Sequence, residues 1–221
     1  MLNSVFLPFK DKHVGYSAIL FGTGPTLKDY DFLEDNGTTL KVGVNGIIAK
    51  AIPLDYYFCG HVDARSQLYL PMIKDIPVTY AKFAYVKFNG SRRSTQLDGS
   101  KLTVCMSKLE AERLGLLPYE ISSNVGFHDD ITKHPLVNHL ISFSALQFLV
   151  YTGIKVIYLV GQDATNIISC DDPEIDPNRS IEAMQQVFTK FRRFAKRKQV
   201  RIVSINPVGL TGLFEDCYRR I

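Results

Sequence analysis

An α/β fold with a mainly parallel, Rossmann-like sheet and helices on both faces is predicted by three observations. Short apolar runs recur along the chain, at about 17–22, 40–45, 55–59, 77–81, 102–105, 155–160 and 200–205, with helical patterns between several of them. The first run, Tyr16 to Phe21, breaks into Gly22-Thr23-Gly24 and then meets Pro25. A later run, Val156-Ile157-Tyr158-Leu159-Val160, ends in Gly161-Gln162-Asp163, a glycine followed by a carboxylate.

Each element has a local reason. The run ending at Phe21 reads as a buried strand, Gly22 and Gly24 permit a tight turn whose backbone can approach a ligand, and Pro25 suits the first turn of a helix. Exposed N–H groups and the positive dipole end at such a start attract phosphate, with the hydroxyls of Thr23 and Thr26 as added donors. An ordinary strand-to-helix turn has the same pattern, but two later strand ends favour the ligand reading. Lys41 to Val44 delivers Asn45, and the run to Val160 delivers Asp163. Ligands of open parallel sheets collect outside the carboxyl ends of strands, so these ends suggest one crevice.

Two helices stand out. Ser142 to Thr152, through Leu146, Leu149 and Val150, leads into the strand ending near Asp163, which sets the hydroxyls of Ser142 and Ser144 at its amino end. The other runs from a cap at Asp176-Pro177 to Lys198, with Met184, Val187, Phe188, Phe191, Phe194 and Ala195 on one face. Its opposite face carries Lys190, Arg193, Lys196 and Arg197. These cations either complement the helix dipole or face an anionic membrane surface or charged acceptor.

The 221 residues are 46% hydrophobic and 22% charged, enough for a full core in one nucleotide-binding domain spanning 1–221. Within it, 83–138 reads as an excursion over the crevice and 164–177 as an acidic lid. A net charge of +4 suits anionic ligands but not a dedicated nucleic-acid binder. Four scattered cysteines, no basic-then-apolar leader and no apolar run near the roughly 18 residues that span a bilayer predict a cytoplasmic protein.

The set Gly22-Thr23-Gly24-Pro25-Thr26-Leu27, Asn45, Asp63, Ser142 to Ser144 and Ile157-Tyr158-Leu159-Val160-Gly161-Gln162-Asp163 resembles the bacterial CMP-sialic-acid-dependent sialyltransferases and their relatives. The first and last of these motifs also occur in the archaeal 6-hydroxymethylpterin diphosphokinase-like proteins. Ile205-Asn206-Pro207-Val208-Gly209-Leu210 is similar to the tail of surface-polysaccharide glycosyltransferase-like members. The resemblance implies that Thr23, Gly24 and Thr26, with Gly22 and Pro25 shaping the turn, line a phosphate site. It further implies that Asn45 and Asp63 touch nucleotide or sugar, that Ser142 and Ser144 follow at a helix start, and that Gly161 and Asp163 meet base or ribose. Those transferases carry a lid histidine and tyrosines after the Gly-x-Asp motif, whereas this chain has no histidine after His139 and no tyrosine between Tyr158 and Tyr218.

A sugar transfer needs a group to take the acceptor proton, and the candidates are Asp163, His61, Asp171 with Asp172, and His128 with Asp129. His61, next to Gly60 at a strand end, is the preferred histidine. The expected activity is metal-independent transfer from a nucleotide-activated sugar, CMP-linked in the resemblance, to a glycan or lipid-linked acceptor in cell-surface polysaccharide synthesis. No separate cofactor is expected, nor a nucleic-acid partner; peripheral membrane contact is compatible with the basic helix face. The alternatives are a magnesium-dependent pyrophosphokinase-like phosphotransferase and a non-catalytic nucleotide-binding module. Asp29-Tyr30-Asp31 spells the Asp-x-Asp of metal-dependent transferases, but side chains at i and i+2 of a helix diverge by about 200°. Nucleotide binding is therefore expected to survive chelators and the double change Asp29→Asn, Asp31→Asn, as read by equilibrium titration; loss in either case would make the transferase metal-dependent.

Overall fold

A computed structural model describes residues 3–30, 37–60, 66–86, 96–97, 101–102, 106–122, 126–137, 140–165 and 180–218. In chain order the strands are β1 (Ser17–Phe21), β2 (Thr39–Val44), β3 (Leu54–Cys59), β4 (Val78–Tyr85), β5 (Gln96–Leu97), β6 (Lys101–Leu102), β7 (Leu117–Tyr119), β8 (Ile121–Ser122), β9 (Leu136–Val137), β10 (Val156–Val160), β11 (Arg201–Ile205) and β12 (Glu215–Cys217). The α-helices are α1 (Ser66–Asp75), α2 (Lys108–Arg113), α3 (Ile141–Tyr151) and α4 (Ile181–Arg197), joined by 3-10 turns at Ser4–Phe9, Pro25–Asp29 and Asn45–Lys50.

Eight strands form one sheet in the order β12-β11-β10-β1-β2-β3-β4-β7, every neighbouring pair parallel. The α/β, parallel-sheet expectation holds. From β1 the chain lays strands outward on one side through β7, then crosses back and fills the other side from β10 to β12. The reversal lies between β1 and β10.

Period-two alternation sends side chains to two cores. Ala18 and Leu20 of β1 join Tyr56, Phe58 and Phe83 beneath α3, α4 and the Ser4–Phe9 turn. Phe21 of β1 joins Leu27, Ile47, Ile73 and Ala111 on the other face. The apolar stripe expected of α4 is buried from Met184 to Ala195, each large side chain contributing about 1.5–3 kcal/mol. The helix start differs: Ser180 is the cap, its Oγ accepting from the Ala183 N–H at 3.1 Å, while Asp176 and Pro177 lie outside the described residues.

Two further differences concern strands. The run at 102–105 does not join the main sheet within its described part, since β6 pairs antiparallel with β5 in a two-stranded ribbon. Edge strands β7 and β12 were not anticipated, because each is three residues long and one contains Pro118, which an edge tolerates. β7 lies in the stretch expected as an excursion, and it is sheet.

The amino edge buries one titratable group. His13 is 3% exposed, with its Nε2 2.6 Å from the Tyr56 hydroxyl. Burial, and then Lys12, push its pKa below the ordinary 6.5 against a smaller opposing pull from Asp55. His128 is shifted the same way, by burial and then by His134. The unfolded chain therefore binds more protons than the native one between the lowered values and 6.5, and stability falls as pH falls through that window. Melting temperature is expected to drop from pH 7.5 to pH 5, and less steeply in His13→Gln; an unchanged slope would show that His13 is not the titrating group.

Candidate functional site at the sheet reversal

The loops leaving β1 and β10 lie against each other at the carboxyl edge. The parallel ladder continues past both strands: Gly22 N–H donates to Val160 O at 2.8 Å, and Gly24 N–H to Gly161 O at 2.9 Å. The approach leaves no space for side chains. A Cβ on Gly24 would stand 2.5 Å from Asp163 Oδ2 and 2.7 Å from Gly161 O, and one on Gly161 would stand 2.6 Å from Gly22 O. Gly161 also has φ +63°, where other residues are strained. The glycines expected to admit a phosphate thus first admit another stretch of chain.

Asp163 completes this contact. Its Oδ2 accepts from the Thr26 N–H at 2.8 Å, and its Oδ1 accepts from the Thr26 hydroxyl. Asp163 and Thr26 are both buried. The Pro25–Asp29 turn has Gly24 at its cap position with no side chain to cap it, and the carboxylate from the β10 loop takes that role. Both Thr26 donors that the sequence offered to a phosphate are directed at Asp163.

Thr23 stands between the two zipped glycines, half-buried, with neither its N–H nor its hydroxyl bonded to any described residue. Asn45 ends β2 at φ +47°, its Oδ1 accepting from Gly60 N–H at 2.8 Å and its own carbonyl accepting from the Tyr57 hydroxyl at 2.9 Å. That leaves the Asn45 amide nitrogen without a partner among the described residues. Ser142, at the start of α3, donates to Gln162 Oε1 at 2.8 Å, and Gln162 Nε2 is buried without a partner among those residues. Ser144 is further inside, buried near Tyr119, whose phenol pKa is raised chiefly by burial. Pro25 is half-buried at the turn.

The tail braces the same edge. Gly209 N–H donates to Asp163 O at 2.8 Å, and Gly209 O accepts from Gln185 Nε2 of α4 at 2.7 Å. Asn206 and Ala164 hold φ +47°, which costs a non-glycine residue such as Ala164 about 1–2 kcal/mol. Strained backbone collects at the ends of β2, β10 and β11.

The structure therefore gathers Gly22, Thr23, Gly24, Pro25, Thr26, Gly161 and Asp163 in one contact at the sheet reversal. Asn45 stands at the carboxyl end of β2, beside β1 in the sheet, and Ser142 joins the edge through Gln162. His61, Asp63 and Asp171 lie outside the described residues. His128 is elsewhere: its ring stacks on His134 with centroids 4.0 Å apart, and neighbouring Asp129 pairs with Lys198 at 2.5 Å, beyond the last turn of α4 and toward the amino edge. Gln162 was missed as a site residue, although its place between Gly161 and Asp163 marked it. Among the described residues no group of three or more histidines, cysteines or carboxylates is arranged to hold a metal ion.

Comparison with known proteins gives the fold a setting. The chain is similar to MAf glycosyltransferase from Magnetospirillum magneticum AMB-1, with a TM-score of 0.55 and 11% identity, over 99% of this chain and 37% of that one. It is also similar to two Campylobacter jejuni proteins. These are the sialyltransferase CstII, solved with cytidine-5'-monophosphate (TM-score 0.46, 12% identity, 86% of this chain and 80% of that one), and the monofunctional α-2,3-sialyltransferase Cst-I (0.45, 12%, 85% and 74%). CstII has also been solved with a trisaccharide acceptor and CMP. No family model and no curated protein matches the chain. What the likeness to MAf glycosyltransferase shows is the fold.

Removing the Asp163 carboxylate would strand two buried donors at about 1–3 kcal/mol each, and a Cβ on Gly24 would overpack the contact by about 1–3 kcal/mol. Asp163→Ala and Gly24→Ala are each expected to lower unfolding stability by about 2 kcal/mol or more in denaturant titrations. Wild-type stability in either variant would show that the two loops are not zipped.

Proposed function

We propose that this chain is a glycosyltransferase-like enzyme that binds a nucleotide-activated sugar where the β1 and β10 loops meet. The observation that carries the reading is the coincidence of the sheet reversal with polar groups that have no partner among the described residues: Thr23 N–H and hydroxyl, with the Asn45 amide nitrogen one strand away. Parallel α/β sheets bind ligands at such reversals, outside the carboxyl ends of their strands. The likeness to MAf glycosyltransferase supports the fold on which this rests. The CMP-linked donor rests on the motif resemblance.

In the proposed reaction an acceptor hydroxyl attacks the anomeric carbon of the donor, the bond to the nucleotide phosphate breaks, and a base takes the hydroxyl proton. Thr23 and Asn45 donate to the departing phosphate oxygens, which carry more negative charge as the bond breaks. Asp163 acts as a positioning residue, because its carboxylate is held by Thr26 and shapes the turn that presents Thr23. The base is assigned to His61, which follows Gly60 in sequence, with Asp171 as the alternative. Glycan or lipid-linked acceptors and metal-independent transfer complete the proposal.

Each hydrogen bond to phosphate is worth about 1 kcal/mol or more, so Thr23→Val and Asn45→Ala are each expected to weaken nucleotide binding about fivefold to twentyfold at near-wild-type stability. Calorimetric titration with CMP, UDP and magnesium-ATP checks this. A preference for CMP or UDP supports sugar transfer, a preference for magnesium-ATP supports phosphotransfer, and nucleotide affinity untouched by both variants removes the site.

A further inference from the structure

The opposite end of the sheet has its own surface, independent of the nucleotide reading. The segment entering β1 exposes Leu7, Lys10, Lys12, Val14 and Tyr16, and Tyr80 of β4 is exposed beside it. Contacts tie these residues into one rim. The His13 ring lies 5.7 Å from that of Tyr16 and 5.2 Å from that of Tyr80, and Lys12 Nζ sits 4.4 Å above the Tyr80 ring. Lys10 N–H donates to Leu7 O at 3.4 Å. Val14 abuts Gly153, where an added Cβ would lie 2.7 Å from Val14 Cγ2. Two residues on, Lys155 donates to Lys198 O at 2.7 Å, just past the last turn of α4.

That last turn continues the rim with cations. Lys196 and Arg197 are exposed, as are Lys190, Arg192 and Arg193 higher on α4, and none of the five pairs with an acid among the described residues. From Ala183 to Phe214 the sequence contains no aspartate or glutamate. The acids near the rim among the described residues include Asp11, which is exposed, Asp129, which pairs with Lys198, Asp130, which pairs with Lys133, Glu215, which pairs with Arg201, and Asp55, which accepts from Lys41 N–H at 2.8 Å. Val14 is 67% exposed, and Tyr16 and Tyr80 each keep about two-fifths of their surface in water.

We propose that this amino-edge rim is a peripheral docking surface for an anionic phospholipid bilayer. Lysine and arginine near a negatively charged leaflet each strengthen attraction by about fivefold, and tyrosine rings settle at headgroup depth with one wet end. Leu7 and Val14 select a bilayer over a nucleic acid or an acidic protein, because exposed aliphatic tips gain from hydrocarbon and nothing from a bare polyanion. No helix among the described residues is long and apolar enough to cross a membrane, so the contact is superficial. Docked in this way, the carboxyl edge opens away from the lipid, into water.

The test is co-sedimentation of the full chain with phosphatidylcholine vesicles, with and without about one-third phosphatidylglycerol. Binding is expected only to the anionic vesicles and should fall about tenfold or more when salt rises from about 0.05 to about 0.5 M. The double variant Lys10→Glu, Lys196→Glu, at two exposed lysines, should reduce partitioning at least about tenfold, and Val14→Asp several-fold, both with wild-type melting temperature. Leu7→Asp replaces Val14→Asp if that variant is destabilised. Absence of vesicle binding, or equal binding to neutral vesicles, overturns the proposal. So does a lysine-dependent interaction, shared with heparin, that both aliphatic variants leave unchanged, which would assign the rim to an acidic macromolecule.

Discussion

The contact between the β1 and β10 loops is the constraint on which the rest of the structure depends. A parallel sheet that reverses its winding must place two consecutive halves of the chain side by side at the reversal, and here the first half ends at β7 and the second begins with β10. The two loops are held by Gly22 N–H to Val160 O, Gly24 N–H to Gly161 O, and the Asp163 carboxylate on Thr26. Without glycine on both sides the backbones could not approach. The Asp163 carbonyl then holds Gly209, and Gly209 holds Gln185, so α4 and the tail are registered from the same point.

This arrangement sets bonded and unbonded donors at neighbouring positions. Of the residues in the first glycine turn, Gly22, Gly24 and Thr26 use their donors within the protein, and Thr23 keeps its own. The same division recurs at Asn45, whose oxygen is held by Gly60 while its amide nitrogen has no partner among the described residues. An amide held at one end is fixed in direction, which lowers the cost of presenting the other end to a ligand. Unsatisfied polar groups thus gather at the carboxyl edge, whereas the amino edge carries His13, the exposed tyrosines and a belt of lysines.

Much of the fold was legible because it is carried by local pattern. The central strands ran within a residue or so of the apolar runs at Ser17–Phe21, Thr39–Val44, Leu54–Cys59, Val156–Val160 and Arg201–Ile205, and the buried face of α4 followed helical spacing from Met184 to Ala195. The short edges were not legible, since three residues such as Leu117-Pro118-Tyr119 or Glu215-Asp216-Cys217 have no period to read. The cap of α4 was misplaced because Asp-Pro is a strong start signal, yet Ser180 stands nearer the first buried turn. His128 looked eligible for catalysis by residue type, and only packing put it against His134 and near the end of α4.

By itself the sequence determined the α/β class, the strand-to-glycine turns at Gly22 and Gly161, and the elements that carry Asn45, Ser142 and Asp163, because hydrophobic period and glycine placement are local properties. Tertiary structure decided what those residues touch. A carboxylate after a strand can face a ligand or cap a neighbouring turn, and the choice depends on a partner 137 positions away, Thr26, whose distance from Asp163 no local pattern encodes. The same holds for Thr23, whose donors differ from those of its neighbours only because the β10 loop lies against Gly22 and Gly24 and leaves the residue between them without a partner among the described residues.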